Sequence, residues 1–122
     1  MSEYSISNRL TVLGAGVLGF AGVAAAALSA HAGEDPRLAS AVAMVCLTHA
    51  PALLALGLFA RGNIVLRIAA FLLFAGAALF STDFALRMFG HGHLFPMAAP
   101  TGGTTMMIGW IAVALGALTM KR

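Results

Sequence analysis

Four long apolar stretches, separated by short polar segments, account for most of this 122-residue sequence. They cover about residues 10–30, 38–60, 64–86 and 104–120. A helix that crosses a bilayer needs about 20 mainly apolar residues, so each stretch is long enough for one crossing, the last only just. The pattern predicts an all-α membrane protein, with residues 1–122 forming a single integral membrane domain folded as an antiparallel four-helix transmembrane bundle.

Composition supports this prediction and excludes several other classes. The chain is 61% hydrophobic and 9% charged, with a mean hydropathy of +0.96, whereas soluble domains have about 25% charged residues. Its net charge of +3 comes from basic residues that are scattered along the chain, so we expect no nucleic-acid partner. The first stretch exceeds the roughly 7–15 apolar residues of a signal peptide, and we expect it to be retained as a span.

Lysine and arginine are distributed unequally between the two sides of such a bundle. If the N-terminus faces the cytoplasm, Arg37 and Arg87 lie on the opposite side. The cytoplasmic side then holds five basic residues: Arg9, Arg61, Arg67, Lys121 and Arg122. Cytoplasmic segments are enriched in these residues, so both termini are expected in the cytoplasm.

Small residues recur at helical spacing on three of the four stretches. Lipid gives little hydrophobic drive for helix association, so small faces let backbones approach closely. We expect Gly19 and Gly22 on the first stretch, and Gly109 and Gly116 on the fourth, to pack against other helices. These faces would contact the bundle interior, another membrane-protein subunit or a second copy of the chain.

Asp83 and Arg87 are the first intramembrane polar candidates. A carboxylate at the centre of a span costs about 3 kcal/mol, so it usually faces a partner or water. The spacing of four residues favours a pair with Arg87 near the helix end. The alternative for Asp83 is a role in handling protons or ions.

His49 lies near the middle of the second stretch, two residues before Pro51. The favoured interpretation is structural, with a neutral imidazole held by one or two hydrogen bonds between helices. Proton transfer, or binding of a quinone or another cofactor head group, is the alternative. Trp110 is interpreted as an anchor at the membrane interface, and the Pro100–Gly103 segment as loop.

A metal site is a further alternative on the far side, where His31, His91 and His93 accompany Glu34 and Asp35. The single cysteine, Cys46, permits no intrachain disulfide. The sequence contains no P-loop, dinucleotide fingerprint, HExxH motif or Ser/His/Asp arrangement. We therefore expect no enzyme activity and no cofactor.

Several short motifs, taken together in their order, resemble a known family. They are Ala30-His31-Ala32, His49 within the second stretch, Phe80-Ser81, Pro100-Thr101-Gly102-Gly103 and Gly109-Trp110. The chain resembles the domain-of-unknown-function family 423, which includes bacterial inner-membrane proteins of the YgdD type and vertebrate transmembrane protein 256. The resemblance implies a four-helix protein of uncharacterised activity in the bacterial cytoplasmic membrane. The chain departs from the family pattern at residues 82–85, where the family has Gly-Ser-Leu-Tyr.

Three functions are compatible with these features. The first is a non-enzymatic accessory or assembly subunit of a larger membrane complex, or a homo-oligomer. The second is a small transporter or proton-coupled carrier that uses His49 and Asp83. The third is a metal-binding protein that uses the far-side histidines.

Overall fold

The computed structural model describes residues 4–31 and 36–120, and this part of the chain contains four α-helices and no strand. They are α1 (Ile6–His31), α2 (Pro36–Phe59), α3 (Ile64–Met88) and α4 (Ala98–Thr119). Each is long and apolar enough to cross a membrane. The all-helical fold with four candidate spans is therefore confirmed.

The start of α4 differs from the sequence-based prediction. The helix begins at Ala98 rather than near residue 104, so the Pro100–Gly103 segment is helical and its interpretation as loop was wrong. Pro100 lies in the first turn, where a missing N–H breaks no intrahelical hydrogen bond. The hydroxyl groups of Thr101 and Thr104 donate to the carbonyl oxygens of Met97 and Pro100, at 2.7 and 2.9 Å.

The four helices associate as two closely packed pairs, α1 with α2 and α3 with α4, and α2 joins the pairs by packing on α3. Gly22 of α1 lies against Cys46 and Leu47 of α2. Gly109 of α4 lies against Leu73 of α3, and Gly116 lies against Leu66. Gly19, the other glycine expected from the sequence at a helix contact, makes only an ordinary van der Waals contact with Ala50.

The backbones of α3 and α4 approach each other closely at Gly76 and Gly102, two glycines that were not among those expected at helix contacts. A Cβ on Gly76 would lie 2.7 Å from the carbonyl oxygen of Gly102. A Cβ on Gly102 would lie 2.7 Å from the backbone nitrogen of Phe80. Since backbone atoms cannot move aside as a side chain can, any larger residue at either position would separate α3 from α4.

The interior of the bundle is built mainly from small side chains, and most of the large apolar side chains point outward. Phe20, Phe71 and Leu118 are examples of outward-facing residues. The buried core contains Ala15, Leu18, Ala25, Val42, Ala43, Cys46, Leu53, Ala70, Leu73, Ala77 and Met106. This distribution is typical of helices packed in lipid, where small interior residues allow close contact.

We call the two ends of the bundle the turn end and the loop end. The turn end holds the Arg61–Asn63 turn, where the Asn63 side chain accepts hydrogen bonds from the amides of Val65 and Leu66 and so caps α3. The Asn63 amide group also donates to the Thr119 hydroxyl at 3.0 Å, which joins α3 to the end of α4. The loop end holds the Phe89–Met97 loop between α3 and α4.

Candidate functional site

The loop end is shaped by the way α3 terminates. Gly90 has a φ of 79°, a left-handed conformation that glycine adopts without strain. Its amide donates to the carbonyl oxygen of Arg87 at 3.1 Å, and the amide of His91 donates to that of Leu86 at 2.8 Å. These two bonds form a Schellman motif, which ends the helix and reverses the chain. The loop therefore runs back along α3.

Asp83 holds the returning loop. Its side chain is fully buried, and one carboxylate oxygen, Oδ1, accepts the backbone N–H of Leu94 at 2.8 Å. The other, Oδ2, lies 3.2 Å from Nδ1 of His93. A buried carboxylate needs such donors, and here both come from the loop. Asp83 thus fixes the Phe89–Met97 loop to the third helix.

The predicted pair between Asp83 and Arg87 is not formed. Arg87 is exposed, and its guanidinium lies over the ring of Phe84, 4.9 Å from the ring centre. The reason is the chain reversal after α3, which brings a backbone amide and an imidazole to the buried carboxylate. Arg87 is left to stack on its neighbour as a cation on an aromatic face.

His49 is buried and connects α2 to α4. Its Nε2 lies 3.2 Å from the indole nitrogen of Trp110, and its Nδ1 lies 2.8 Å from the carbonyl oxygen of Val45. An indole N–H only donates and a carbonyl only accepts. This geometry requires the neutral imidazole with its hydrogen on Nδ1, which donates to Val45 while Nε2 accepts from Trp110.

Because α4 begins at Ala98, Trp110 lies near the middle of this helix and not near its end, so the reason for interpreting it as an interfacial anchor no longer holds. Its ring meets that of His49 edge to face, with ring centres 5.7 Å apart. It remains 44% exposed on the outer side, so one edge of the indole faces outward while the N–H bonds inward. The sequence alone does not reveal this pair, because the two residues are 61 positions apart.

Cys46 forms a third polar contact inside the bundle. It is fully buried, and its sulfur lies 3.2 Å from the hydroxyl oxygen of Ser81. This contact joins α2 to α3. His49 and Asp83 share no hydrogen-bonding partner, so the structure does not connect the two proposed proton-handling groups into one chain of hydrogen bonds.

The far-side histidines do not form a metal centre in the part of the chain that the structure describes. His31 and His91 are exposed, and His93 contacts Asp83. Among residues 4–31 and 36–120, no three histidine, cysteine or acidic side chains come together in a metal-binding group. Glu34 and Asp35, the other expected ligands, lie outside the described residues.

A second feature lies toward the turn end, away from these polar contacts. A groove of about 670 Å³ runs between α1 and α3, and Arg67 is the one charged residue among its described lining residues. In the sequence, Arg67 is notable only as one of the basic residues that indicate topology. Nothing in the sequence shows that the first and third helices border a common groove, since they are separated by the whole of α2.

Comparison with known proteins places these features in a family. No curated protein and no solved structure matches the chain. A family model described as a protein of unknown function (DUF423) matches residues 24–103, a range that contains His49, Asp83 and His93. Because the match covers more than half of the sequence, the chain belongs to the DUF423 family.

Proposed function

We propose that this protein is a non-enzymatic, four-helix integral protein of the bacterial cytoplasmic membrane that acts by binding, as an accessory or assembly subunit of a larger membrane complex or as a homo-oligomer. In this proposal the helices are antiparallel and both termini are cytoplasmic. The contact pairs support the antiparallel order, since Gly57 of α2 meets Val12 of α1, and Gly22, further along α1, meets Cys46, which lies earlier in α2.

One observation carries the proposed function: the buried polar side chains are satisfied within the chain. Asp83 is bonded to the loop and His49 to Trp110 and Val45. Among the described residues, no buried side-chain nitrogen or oxygen lacks a hydrogen-bonding partner. Polar groups that line a transport path or a catalytic site need unused hydrogen-bond donors or acceptors that face water or substrate. Because these groups stabilise the interior of the bundle, the outer faces of the helices are the surfaces available for binding.

The distribution of charge supports the orientation. Arg61 and Arg67 lie at the turn end, together with Arg9, whereas Arg37 and Arg87 lie toward the loop end. Cytoplasmic segments carry the excess of arginine and lysine, so we assign the turn end to the cytoplasm. The two basic residues at positions 121 and 122 lie outside the described residues.

The proposed function is tested by purifying a C-terminally tagged copy from native membranes in mild detergent and measuring the mass and subunit ratio of the particle. We expect a fixed ratio to one other membrane protein, or a homo-oligomer of defined size. A monomer in several mild detergents, without a stoichiometric partner, would contradict the proposal.

Proton flux into vesicles containing the purified protein tests the carrier alternative on the same sample. The variant Asp83→Asn removes the buried charge, and Arg87→Gln serves as the control because it removes a nearby exposed charge. We expect no flux with the wild type. Flux that Asp83→Asn abolishes and Arg87→Gln preserves, with the particle mass unchanged, would replace the proposed function with a carrier.

A further inference from the structure

The groove between α1 and α3 is nearly free of polar groups along most of its length. Its lining comes mainly from these two helices, with Leu53 of α2 at its floor. Leu10, Leu13, Phe71 and others on its rim are among the exposed large apolar side chains. The full lining is Ile6, Ser7, Leu10, Thr11, Leu13, Gly14, Val17, Leu53, Arg67, Ile68, Ala70, Phe71 and Phe74.

The groove extends to about the depth of one leaflet. From Ile6 to Val17 the lining follows α1 for about 16 Å, at about 1.5 Å of rise per residue. Half of a hydrocarbon core of about 30 Å is about 15 Å. The groove therefore extends from the turn end to near the middle of the bilayer, where a lipid chain of that leaflet also ends.

The lining favours an acyl chain as the occupant of the groove. Apart from Ser7, Thr11 and Arg67, every lining residue is apolar. An extended hydrocarbon chain requires only such an apolar surface.

The polar end of the groove carries a positive charge for which the described residues provide no countercharge. Arg67 is exposed and makes no side-chain hydrogen bond or ion pair with another described residue, and Ser7 and Thr11 lie beside it in the lining. The only acidic residue in the described part of the chain, Asp83, lies near the loop end and is bonded there. A guanidinium at this level pairs well with a phosphate.

We propose that the groove binds an anionic phospholipid, with one acyl chain along α1 and α3 and the headgroup phosphate at Arg67. The site deepens the proposed function, on which it rests through the membrane location. It names a lipid of the leaflet at the turn end as a specific partner. Charge and apolar length act together, because a phosphate held at Arg67 places the acyl chain along the apolar part of the groove.

The test is native mass spectrometry of the full-length protein released from mild detergent after titration with phosphatidylglycerol or phosphatidylcholine. We expect one phosphatidylglycerol per chain to be retained, and phosphatidylcholine to bind more weakly. The variant Arg67→Gln should weaken phosphatidylglycerol binding about tenfold, equivalent to about 1.4 kcal/mol. Its control, Arg9→Gln, removes a charge at the same end from outside the groove and should bind as the wild type does.

A second pair of variants tests the apolar part independently. Val17→Phe fills the end of the groove that is farthest from Arg67 along α1, at a side chain that is already 52% exposed. It should reduce binding of both lipids, whereas Val23→Phe, at an exposed position of α1 outside the groove, should not. Circular dichroism of each variant checks that the helices are intact.

Equal retention of the two lipids, or equal binding by Arg67→Gln and Arg9→Gln, would overturn the proposal. So would a dimer in which cross-links place a second copy at Val17. The same spectra report protein stoichiometry separately. A monomer carrying one phosphatidylglycerol contradicts the assembly function and leaves the lipid site standing, while a defined complex without lipid preference does the reverse.

Discussion

Asp83 illustrates how a single charged residue is accommodated in an otherwise apolar helix. Insertion of an isolated carboxylate at mid-bilayer is unfavourable by about 3 kcal/mol, and Asp83 is fully buried. It lies close enough to the end of α3 for the loop to return and supply two donors, the amide of Leu94 and the ring of His93. Asp83 therefore stabilises the Phe89–Met97 loop by holding it against α3.

The first prediction concerns the hydrogen bonds that Asp83 accepts from the loop. Asp83→Ala should lower the free energy of unfolding by about 1–3 kcal/mol, since it leaves the Leu94 amide without its acceptor. His93→Ala should cost less, because the amide bond remains. The control is Arg87→Ala, for which we expect a loss no larger than the roughly 0.5–1 kcal/mol of an exposed cation–π contact. Unfolding in mixed micelles by added denaturing detergent measures the stability of all three variants. Equal losses for Asp83→Ala and Arg87→Ala would indicate that these two residues form an ion pair after all.

The second prediction concerns the bond between His49 and Trp110. Trp110 is the only tryptophan in the sequence, so the protein's indole fluorescence reports on it alone. His49→Leu removes the acceptor of the indole N–H, and the emission maximum should move to shorter wavelength. Trp110→Phe should cost about 0.6 kcal/mol, the average for a hydrogen bond between membrane helices. Thr104→Ala, elsewhere on α4, should leave the emission unchanged, and an unchanged spectrum in His49→Leu would contradict the bond.

At this scale the sequence indicates which residues are unusual but not what they contact. The structural interpretation of His49 followed from its depth and its neutral form, and the structure supplies the hydrogen bond to Trp110 on another helix. The partner of Asp83 was assigned to Arg87 because spacing within a helix reveals only local pairs. The actual partners become neighbours only after the chain reverses at Gly90, a tertiary consequence of one left-handed residue.

At the scale of helices, apolar length predicted the existence and approximate bounds of all four elements. It failed at the start of α4, where proline and glycine are turn formers in general but fit the first helical turn here. Periodicity within single helices also did not point to the close approach of Gly76 and Gly102. The contact between Gly76 and Gly102 depends on how α3 and α4 are placed against each other. This placement cannot be inferred from the sequence of either helix alone.

The third prediction compares two adjacent glycines of α4. Gly102→Ala should destabilise the protein by about 1–3 kcal/mol, because the new methyl group meets the backbone of Phe80 and Gly76. Gly103→Ala meets nothing within 4 Å and should stabilise by up to about 1 kcal/mol through helix propensity. Thermal unfolding followed by circular dichroism gives both values. Similar effects at the two positions would show that α3 and α4 do not cross at Gly102.

At the scale of the molecule, the two ends of the bundle differ in chemistry. The loop end contains the described carboxylate and its loop, while the turn end contains three arginines, of which Arg61 stacks on Tyr4. The sequence predicted this asymmetry by counting charges. It did not predict the groove, because a groove between α1 and α3 exists only once α2 has been placed. An orientation in the membrane would therefore also decide which leaflet supplies the groove's ligand.

That orientation is the subject of the fourth prediction, for which the chain offers two matched phenylalanines. Phe59 lies beside the Arg61–Asn63 turn and Phe89 begins the loop after α3, and both are mostly exposed. Cys46 is fully buried, and Cys46→Ala provides a cysteine-free background. In intact cells, a membrane-impermeant maleimide should label Phe89→Cys and leave Phe59→Cys unlabelled until the membrane is opened. Because segments rich in arginine are retained in the cytoplasm, the Arg61–Asn63 turn and the neighbouring Phe59→Cys should be protected from the reagent. The opposite labelling would invert the protein, place Arg67 at the outer leaflet and move the lipid site there with it.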